Sequence, residues 1–315
     1  MRMTRTDADS VGVVVPTYKG RQHLSRCLGP FLESPLRPRI LVVDSSSGDG
    51  TVEEAERLGA ETLVVPRHDF NHGATRELAR RQLATDIVVM VTQDAYAKDD
   101  ETLRRLVSPL IARDAAVAYG RQIPRPGAGT FETFLRAFNY PPHSNIRALA
   151  DAPTYGAGLF FCSNAFAAWR QHALDEIGGF RTTLSHEDAI AAALLLKAGH
   201  RIAYVAEAIV EHSHPYSMIG DFRRYFDAGY ARTEYAQELS FAGPHAAIGA
   251  RYASDLLGEI AGSRPWAIPY AVAHIALKGV GYFSGSRAVG RSSWIARRLS
   301  GQDYFWNSDL SQPHR

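Results

Sequence analysis

The stretch Val11-Gly12-Val13-Val14-Val15-Pro16-Thr17-Tyr18-Lys19-Gly20 decides the fold class of this chain. It opens with an apolar, mainly β-branched run that ends at a proline, which is typical of a strand buried on both faces of a parallel sheet. The residues after the proline would then lie at the carboxyl end of this strand. A helix is expected next, from about Gly20 to Glu33.

The same pattern of an apolar run followed by a polar segment recurs along the chain. Further strands are predicted at Ile40–Val43, Thr62–Val65 and Ile87–Val91, and further helices at Thr51–Leu58, Gly73–Leu83 and Glu101–Arg113. Strands that alternate with helices at this spacing predict right-handed βαβ units. We therefore expect an α/β fold, Rossmann-like in its layers, with a mixed, mainly parallel sheet and helices on both faces.

The regular alternation stops between Gly120 and Gly158. This stretch is rich in glycine, proline, asparagine and aromatic residues, a composition found in binding loops and lids. Beyond it we predict a helix over Ala165–His172 and a strand over Arg201–Val205.

Residues 215–315 read as largely helical, so we expect a sheet domain at 1–214 followed by a helical C-terminal extension at 215–315. Between Ile260 and Gln302 there is no acidic residue, whereas basic residues stand at Arg264, Lys278, Arg287, Arg291, Arg297 and Arg298. Such a block is usually a solvated face, yet it also suits an anionic membrane surface.

Composition places the chain among soluble globular proteins, with 315 residues, 45% hydrophobic content and a formal net charge of +2. Cys27 and Cys162 lack the paired spacing of a zinc site, and we expect no disulfide framework. The polar start Met1–Ser10 predicts no signal peptide. We therefore expect a cytoplasmic protein, with peripheral contact at the inner face of the cell membrane and no nucleic-acid partner.

Polar residues follow three of the predicted strands, at Pro16-Thr17-Tyr18, Asp44 and Gln93-Asp94. Ligands bind beyond the carboxyl ends of the strands in such sheets, so we expect these residues to converge on one pocket. Each alone would also suit a loop or a helix cap. The sequence lacks the glycine patterns of Rossmann dinucleotide sites and of P-loops, which removes the main support for both.

A second unusual stretch runs from Gly178-Gly179-Phe180 to Glu187-Asp188 and enters the apolar, alanine-rich run Ala189–Leu196. Two adjacent carboxylates at the start of such a helix are stabilised by the positive end of the helix dipole. In one interpretation Ser185 or Asp188 is a plain N-cap. In the other, one carboxylate points into the cleft opened by the glycine turn and acts as a base.

The motifs GVVVPTYKG (12–20), VVDSSSGDGT (42–51), FNHGATRELA (70–79), VTQDA (91–95), GGF (178–180) and HED (186–188) resemble, in this order, family-two inverting glycosyltransferases of the GT-A fold. Two further motifs, EHSHPYS (211–217) and FRRYFDAGYAR (222–232), are similar to the bacterial rhamnosyltransferase branch of that family. The resemblance covers roughly Val11 to His214. It implies a nucleotide-sugar half at about 11–119 and an acceptor half at about 120–214.

The resemblance also implies roles for individual residues. The donor site would be lined by Pro16, Thr17, Tyr18, Asp44, Arg76, Gln93 and Asp94. Within it, Asp44 would bond the base or ribose, and Arg76 would lie against the base or the diphosphate. Asp94 would contact a metal ion. Asp188 would be the catalytic base, with Glu187 close enough that the two carboxylates titrate as a coupled unit.

Two departures from the family pattern affect the expected metal site. Lys19 stands where the family commonly has asparagine, and the two-carboxylate D-x-D signature is reduced to Gln93-Asp94-Ala95. A single carboxylate holds Mg²⁺ or Mn²⁺ weakly unless substrate phosphates and waters complete the shell. His212 and His214 would face the same way on an extended segment and complete this shell or contact the leaving phosphate. Paired histidines are also common structural residues.

The implied reaction transfers L-rhamnose from dTDP-L-rhamnose to a saccharide or lipid-linked saccharide acceptor in cell-surface polysaccharide synthesis. It needs positive charge at the departing diphosphate and a carboxylate near the attacking hydroxyl. The processive-synthase signature Q-x-x-R-W is missing after Asp188, which indicates one sugar per encounter. Two alternatives stay open: a nucleotidyltransferase that uses Lys19-Gly20-Arg21 as a phosphate loop, and a non-catalytic nucleotide-sugar-binding subunit.

Overall fold

The computed structural model describes residues 9–215, 217–243, 246–291 and 293–307. A nine-stranded sheet organises the part of the chain before residue 215. Its strands are β1 Val11–Thr17, β2 Arg39–Asp44, β3 Glu61–Val64, β4 Ile87–Val91, β5 Tyr96–Ala97, β6 Val117–Ile123, β7 Asn145–Arg147, β8 Phe166–Arg170 and β9 Ile202–Glu211.

The strands lie in the order β3-β2-β1-β4-β8-β6-β9-β5, and β7 pairs with β9. The first four of these are parallel to one another. β8 is antiparallel to both of its neighbours, β4 and β6, whereas β6 and β9 are again parallel. The predicted mixed sheet is therefore confirmed, with its parallel pairs concentrated in the first half of the chain.

Helices cover the sheet and build the C-terminal extension. In the sheet domain they are α1 Arg21–Leu32, α2 Thr51–Arg57, α3 His72–Leu83, α4 Thr102–Ile111, α5 Thr130–Asn139, α6 Ala152–Tyr155, α7 Gln171–Glu176 and α8 Glu187–Lys197. In the extension they are α9 Met218–Glu234, α10 Ala236–Leu239, α11 Ala246–Ser263, α12 Ile268–Ala288, α13 Ser293–Leu299 and α14 Asp303–Asn307. The helices predicted at 20–33, 51–58, 73–83 and 101–113 thus form close to the expected bounds.

Both faces of the sheet are buried, because successive side chains of a strand point to opposite sides. Val13 packs into one core with Leu24 of α1 and Leu106 of α4. Its neighbour Val14 packs into a second core with Leu195 of α8. The continuous apolar run of β1 is explained by this double burial, and the predicted helices on both faces are confirmed.

The helix predicted over Ala165–His172 is wrong. Phe166–Arg170 is strand β8, which is buried between β4 and β6, and the short helix α7 begins only at Gln171. A strand buried on both faces shows no alternation of polar and apolar residues, so its alanine-rich sequence cannot be distinguished from a buried helix by periodicity. Pairing with β4 and β6 in the tertiary structure therefore makes Phe166–Arg170 a strand.

The stretch expected to be irregular contains a helix. In α5, the side chains of Phe131, Phe134 and Phe138 recur every three or four residues. Phe134 and Phe138 pack against Tyr252 of α11, and Phe131 packs against His274 of α12. Their spacing is helical, but the glycines and prolines on both sides masked it in the sequence. α5 therefore attaches the sheet domain to the C-terminal extension.

α9 and α12 approach each other backbone to backbone. A Cβ atom added at Gly285 would lie 1.9 Å from the carbonyl oxygen of Phe226, and one at Gly229 would lie 2.0 Å from that of Tyr282. Such distances leave room only for hydrogen at these positions. The glycines of α9 and α12 therefore set the separation of this helix pair.

A buried group of charges also joins α9 to α12. Asp221 lies 2.6 Å from Nε2 of His274 and 3.5 Å from the ammonium group of Lys278, and all three side chains are buried. Lys278 therefore belongs to the interior and not to the exposed basic residues of the extension. Among the described residues, no helix combines the length and apolar character needed to cross a bilayer.

Candidate active site

The carboxyl ends of β1 and β2 are tied together by Asp44. Thr17 and Asp44 are partners in the parallel register, and Thr17 Oγ1 donates a hydrogen bond to Asp44 Oδ1 at 3.1 Å. The backbone N–H of Ser47 donates to Asp44 Oδ2 at 2.8 Å. Both Thr17 and Asp44 are buried, so the carboxylate of Asp44 holds the loop that follows β2.

The end of β4 joins the same edge through Gln93. The backbone N–H of Tyr18 donates to Gln93 Oε1 at 2.9 Å, and Gln93 Nε2 donates to the carbonyl oxygen of Tyr18 at 3.2 Å. Lys19 follows with φ of 51°, a conformation that asparagine adopts more readily than lysine. The structure thus brings together Pro16, Thr17, Tyr18, Asp44 and Gln93 at one edge of the sheet.

An arginine sandwiched between two tyrosines lies at this edge. The guanidinium group of Arg67 is 3.8 Å from the ring centroid of Tyr18 and 4.9 Å from that of Tyr304. Tyr304 comes from α14, and its ring also packs edge-on against Phe70. Sequence reasoning missed Arg67 and Tyr304 because they are far apart in the chain and belong to no motif.

Asp94, His212 and His214 form a cluster that could hold a metal ion. One possible ligand atom from each residue lies within 4.8 Å of the other two. Asp94 follows β4, and the histidines follow β9, where the N–H of His212 still donates to the carbonyl oxygen of Ile123 at 3.0 Å. The two histidines, which are separated by Ser213 on this extended segment, therefore face the same way.

The protonation of the cluster suits metal binding. Burial alone would raise the pKa of Asp94, but the hydrogen bond from His212 and the charges around it hold the pKa well below its usual range. Burial lowers the pKa of His214 to about 4, helped by the neighbouring His212. Gln122 Oε1 lies 2.9 Å from Nδ1 of His212, so in the neutral form of His212 the proton is favoured on Nδ1 and Nε2 is free to be a ligand atom.

Arg125 is a further cation at this cluster that sequence reasoning missed. Its Nη2 atom lies 3.0 Å from Asp94 Oδ2 and also contacts the carbonyl oxygen of Asp94. Its backbone N–H donates to Ser213 Oγ at 3.0 Å, which fixes the loop after β6 against the histidine segment. Within the described chain its Nε atom is buried without a hydrogen-bond partner. Arg125 therefore retains donor capacity beside the cluster.

Glu187 is buried and paired with Arg76. Nη1 of Arg76 lies 2.7 Å from Glu187 Oε1, and Asn164 Nδ2 donates to the same oxygen at 3.1 Å. Burial alone would raise the pKa of Glu187, but Arg76 and His72 outweigh burial and lower this pKa. Both partners of this ion pair are buried and face each other, and the contact of Arg76 with the donor stays a prediction.

Asp188, the next residue, has a different environment. Its Oδ2 atom accepts from the N–H of Asn164 at 2.9 Å, and its Oδ1 atom accepts from the N–H of Ala189 at 2.8 Å. The side chain is only half-buried in the folded chain. Burial and the negative charge of Glu187 raise the pKa of Asp188 to about 7. A carboxylate with this pKa suits general-base catalysis near neutral pH.

The plain N-cap interpretation of this stretch is wrong. α8 begins at Glu187, and its N-cap is His186, which has a left-handed φ of 65°. Asp188 lies inside the first turn. Ser185 Oγ instead lies 2.9 Å from Nδ1 of His186 and donates to the carbonyl oxygen of Asp227. The two carboxylates therefore gain from the helix dipole without serving as caps.

The start of α3 positions the glycine turn against this site. Asn71 caps α3 through its Oδ1 atom, and its Nδ2 atom donates to the carbonyl oxygen of Thr183 at 2.8 Å. A Cβ atom added at Gly73 would lie 1.9 Å from the carbonyl oxygen of Arg181. The 70–79 and 178–188 motifs are thus one packed unit, and this explains why glycine stands at position 73.

Three comparisons with known proteins extend these observations. Residues 12–178 match the family model described as "Glycosyl transferase family 2". The chain is 32% identical over 308 residues to "O-antigen chain rhamnosyltransferase RfbN" of Salmonella typhimurium, with 95% of this chain and 96% of the relative covered. It is also 32% identical over 305 residues to "O-antigen chain rhamnosyltransferase WbaN" of Salmonella anatum, with the same two shares covered.

Solved structures share the fold. A mannosyltransferase from Pyrobaculum calidifontis, in complex with GDP-Man and Mn²⁺, matches with a TM-score of 0.57 and 19% identity over 97% of this chain and 89% of that one. Glucosyl-3-phosphoglycerate synthase from Mycobacterium tuberculosis, in complex with Mn²⁺, UDP-glucose and glycerol 3-phosphate, matches with a TM-score of 0.52 and 17% identity over 73% of this chain and 80% of that one. The expected fold is thereby confirmed.

Proposed function

Because the chain belongs to glycosyl transferase family 2, we propose that this glycosyltransferase moves L-rhamnose from dTDP-L-rhamnose to an acceptor hydroxyl in bacterial cell-surface polysaccharide synthesis, with inversion at the anomeric carbon. The observation that carries the proposal is the 32% identity to two O-antigen rhamnosyltransferases over 95% of the chain. Identity along nearly the whole length includes the C-terminal extension as well as the sheet domain.

The proposed nucleotide site is the edge formed by β1, β2 and β4. Asp44 holds the loop after β2, and the exposed Tyr18 lies beside the guanidinium group of Arg67. A planar base would stack on these groups, because aromatic rings and guanidinium groups both offer flat faces. This geometry supports a nucleotide donor.

We assign the metal to Asp94, His212 and His214. Mn²⁺ and Mg²⁺ take octahedral shells, so three protein ligands leave positions for diphosphate oxygens and water. Two imidazole groups favour Mn²⁺ over Mg²⁺, since Mg²⁺ prefers oxygen ligands. When bound, such an ion would neutralise charge on the departing diphosphate. Arg125 would add a second positive charge there.

Asp188 is the proposed base. It would accept the proton of the acceptor hydroxyl while that oxygen attacks the anomeric carbon and the bond from this carbon to the diphosphate oxygen breaks. The nucleoside diphosphate leaves with the bonding electrons. Glu187 is too buried to meet the acceptor, and its ion pair with Arg76 keeps it charged beside Asp188. We therefore assign Glu187 to positioning and to raising the pKa of Asp188.

The family assignment removes the support for the two alternatives. A nucleotidyltransferase would need a phosphate loop after β1, but Lys19 N–H donates to Ser47 Oγ at 2.7 Å and Gly20 N–H donates to Thr51 Oγ1 at 3.0 Å. These N–H groups are engaged within the chain and do not form an open phosphate cradle. A non-catalytic subunit would not need a base with the raised pKa of Asp188.

The acceptor and the cellular site belong to the same proposal. We propose a saccharide or lipid-linked saccharide acceptor and a cytoplasmic enzyme that works at the inner face of the cell membrane. The acid-free segment between Ile260 and Gln302 supports this placement, because basic residues are attracted to anionic lipids. No nucleic-acid partner is proposed.

Donor use tests the proposal directly. The full chain is incubated with dTDP-L-rhamnose, UDP-glucose or GDP-mannose, each with Mn²⁺, and release of the nucleoside diphosphate is measured with and without a rhamnose-accepting glycan. We expect dTDP release that depends on the acceptor, and a product whose anomeric configuration is opposite to that of the donor. Preferential use of UDP-glucose or GDP-mannose, or retention of configuration, would refute the proposal.

A further inference from the structure

α12 exposes an apolar face on the side opposite its contact with α9. The exposed residues of this face recur every three or four positions, and they are Pro269, Val272, Ala273, Ala276, Gly279, Val280 and Phe283. Residues with this spacing share one side of a helix. The other side carries the buried His274, Lys278, Gly281 and Gly285. We call the exposed set the outer face.

Exposed arginines flank the outer face. Arg264 precedes it, and Arg287 continues it by one further turn. Arg291, Arg297 and Arg298 follow in the next segment and are exposed as well. No acidic residue interrupts the chain between Ile260 and Gln302. Along the chain, the outer face is therefore an apolar strip flanked on both sides by exposed basic residues.

Two exposed tryptophans stand at the ends of this region. Trp266 is 78% exposed just before α12, and Trp294 is 59% exposed in α13. Tryptophan is favoured where water meets the apolar part of a bilayer, since its ring is apolar and its N–H is polar. In the chain by itself, these two side chains leave a large apolar area in contact with water, which is typical of an interaction site.

We propose that the outer face of α12 docks on an anionic lipid bilayer, with its apolar side chains at the acyl boundary and the flanking arginines among the headgroups. The proposal rests on the proposed function only in that a lipid-linked acceptor would lie at the same surface. Helices with an apolar face and basic flanks bind membranes in this way, through buried apolar area together with charge attraction.

A second copy of the chain fits this surface less well. A two-fold interface would place the same patch on both subunits, so the arginine border of one would face that of the other. Like charges brought together in this way oppose association. An anionic bilayer instead complements the border. The charge pattern therefore selects lipid as the occupant.

Co-sedimentation with vesicles tests the proposal. The full chain is mixed with vesicles of phosphatidylglycerol and phosphatidylethanolamine, or of phosphatidylcholine alone. We expect binding to the anionic vesicles that falls at least tenfold in Val280→Ser/Phe283→Ser. The matched control is Val64→Ser/Leu78→Ser, because Val64 and Leu78 are 53% and 49% exposed, close to the 54% and 56% of Val280 and Phe283. Equal loss in both double variants would overturn the proposal.

Insertion is measured with brominated phosphatidylglycerol, which quenches tryptophan at the acyl boundary. Trp169 and Trp306 are buried, so the quenched signal should come from Trp266 and Trp294 and vanish in Trp266→Phe/Trp294→Phe. Binding without quenching would show that the outer face stays in water. A lipid-free dimer that Val280→Ser/Phe283→Ser converts to monomer would show that a second copy covers it. Either result overturns the proposal.

Transfer to a soluble acceptor separates this proposal from the proposed function. Val280 and Phe283 lie outside the candidate active site, so Val280→Ser/Phe283→Ser should release dTDP from dTDP-L-rhamnose at the unmodified rate when a soluble rhamnose-accepting glycan is present, while it loses vesicle binding. Loss of vesicle binding together with normal transfer supports docking. Vesicle binding that persists in this variant overturns docking and leaves the assigned reaction unaffected.

Discussion

Asp188 and Glu187 are adjacent in the chain, yet their carboxylates differ in their electrostatic environment. Glu187 has the guanidinium group of Arg76 at 2.7 Å, whereas Asp188 accepts hydrogen bonds from two backbone N–H groups and has the negative charge of Glu187 beside it. Opposite charge lowers the pKa of a carboxyl group, and like charge raises it. In the proposed function, these two neighbouring residues thereby have separate roles, Glu187 as a fixed charge and Asp188 as the base.

The exchange Asp188→Asn tests the base. Asparagine keeps the acceptor oxygen that meets the backbone N–H groups but cannot take a proton, so transfer should fall by at least about 10² with donor affinity nearly unchanged. Steady-state kinetics and calorimetric donor binding provide the two measurements. A folded variant that transfers rhamnose at a near-normal rate would move the search for the base to Glu187 or His186.

The pH profile of kcat/KM tests the coupling between the two carboxylates. The pKa of Asp188 is raised to about 7, and the base must be deprotonated, so activity should rise as the pH increases through about 7. Glu187→Gln removes the neighbouring negative charge and should lower the pKa of Asp188, which moves the acid limb to lower pH. An acid limb that stays in place would show that Glu187 does not set this pKa.

Asp94→Ala tests the metal cluster. Asp94 supplies the only carboxylate in the cluster of three possible ligands, so we expect Mn²⁺-dependent donor binding to weaken at least about tenfold, the loss that even an outer-shell partner can cause. The control is Asp100→Ala, which removes an exposed carboxylate from the same loop region. Calorimetry with dTDP and Mn²⁺ gives the affinity. Equal affinity in the two variants would exclude Asp94 as a ligand.

At the scale of elements, the contact between α9 and α12 depends on glycine. Gly285→Ala would place a Cβ atom 1.9 Å from the carbonyl oxygen of Phe226, and overpacking of this kind costs about 1–3 kcal/mol. Gly279→Ala in the same helix meets no atom within 4 Å and should stabilise by about 0.5–1 kcal/mol. Thermal unfolding should therefore separate the two variants by several degrees. Similar melting temperatures would contradict the close packing.

The elements differ in how far the sequence predicts them. The strand predicted at Ile87–Val91 has the same bounds as β4. A short β-branched run that is ended by polar residues favours a buried strand over other structures. Phe166–Arg170 was misread because double burial removes alternation, and its two antiparallel partners are distant in the chain. The phenylalanines of α5 do have helical spacing, but the glycine and proline residues around them outweighed it.

The same limit applies to the site. Asp94 was predictable because it follows strand β4, and His212 and His214 because they share one extended segment after strand β9. The structure brings these three residues together. Arg125 and Asn164 lie in loops without a motif, and only the tertiary structure shows that they contact Asp94 and Asp188. Local sequence patterns identify the ends of strands. The contact of Arg125 with Asp94, 31 residues away, and that of Asn164 with Asp188, 24 residues away, are instead fixed by tertiary packing.

At the scale of the whole molecule, the last described helix, α14, reaches the proposed nucleotide site at Tyr18, near the start of the chain, through Arg67. We predict that Tyr304→Ala raises the donor KM by about two- to fivefold with little change in kcat, because one stacked contact with a cation contributes about 0.5–1 kcal/mol. Tyr304→Phe keeps the ring and should bind the donor normally. An equal rise in KM for both variants would assign the effect to the hydroxyl group.

The contacts of α3 with the 178–188 segment have a consequence for engineering. Asn71 bonds Thr183 and Arg76 bonds Glu187, so residues from the first half of the sheet domain directly support the residues around the proposed base. A chimera joined near residue 120, with its halves taken from two relatives, would exchange only one side of each contact. Hybrid enzymes that combine new donors with new acceptors therefore need breakpoints that carry both α3 and the start of α8 from a single parent.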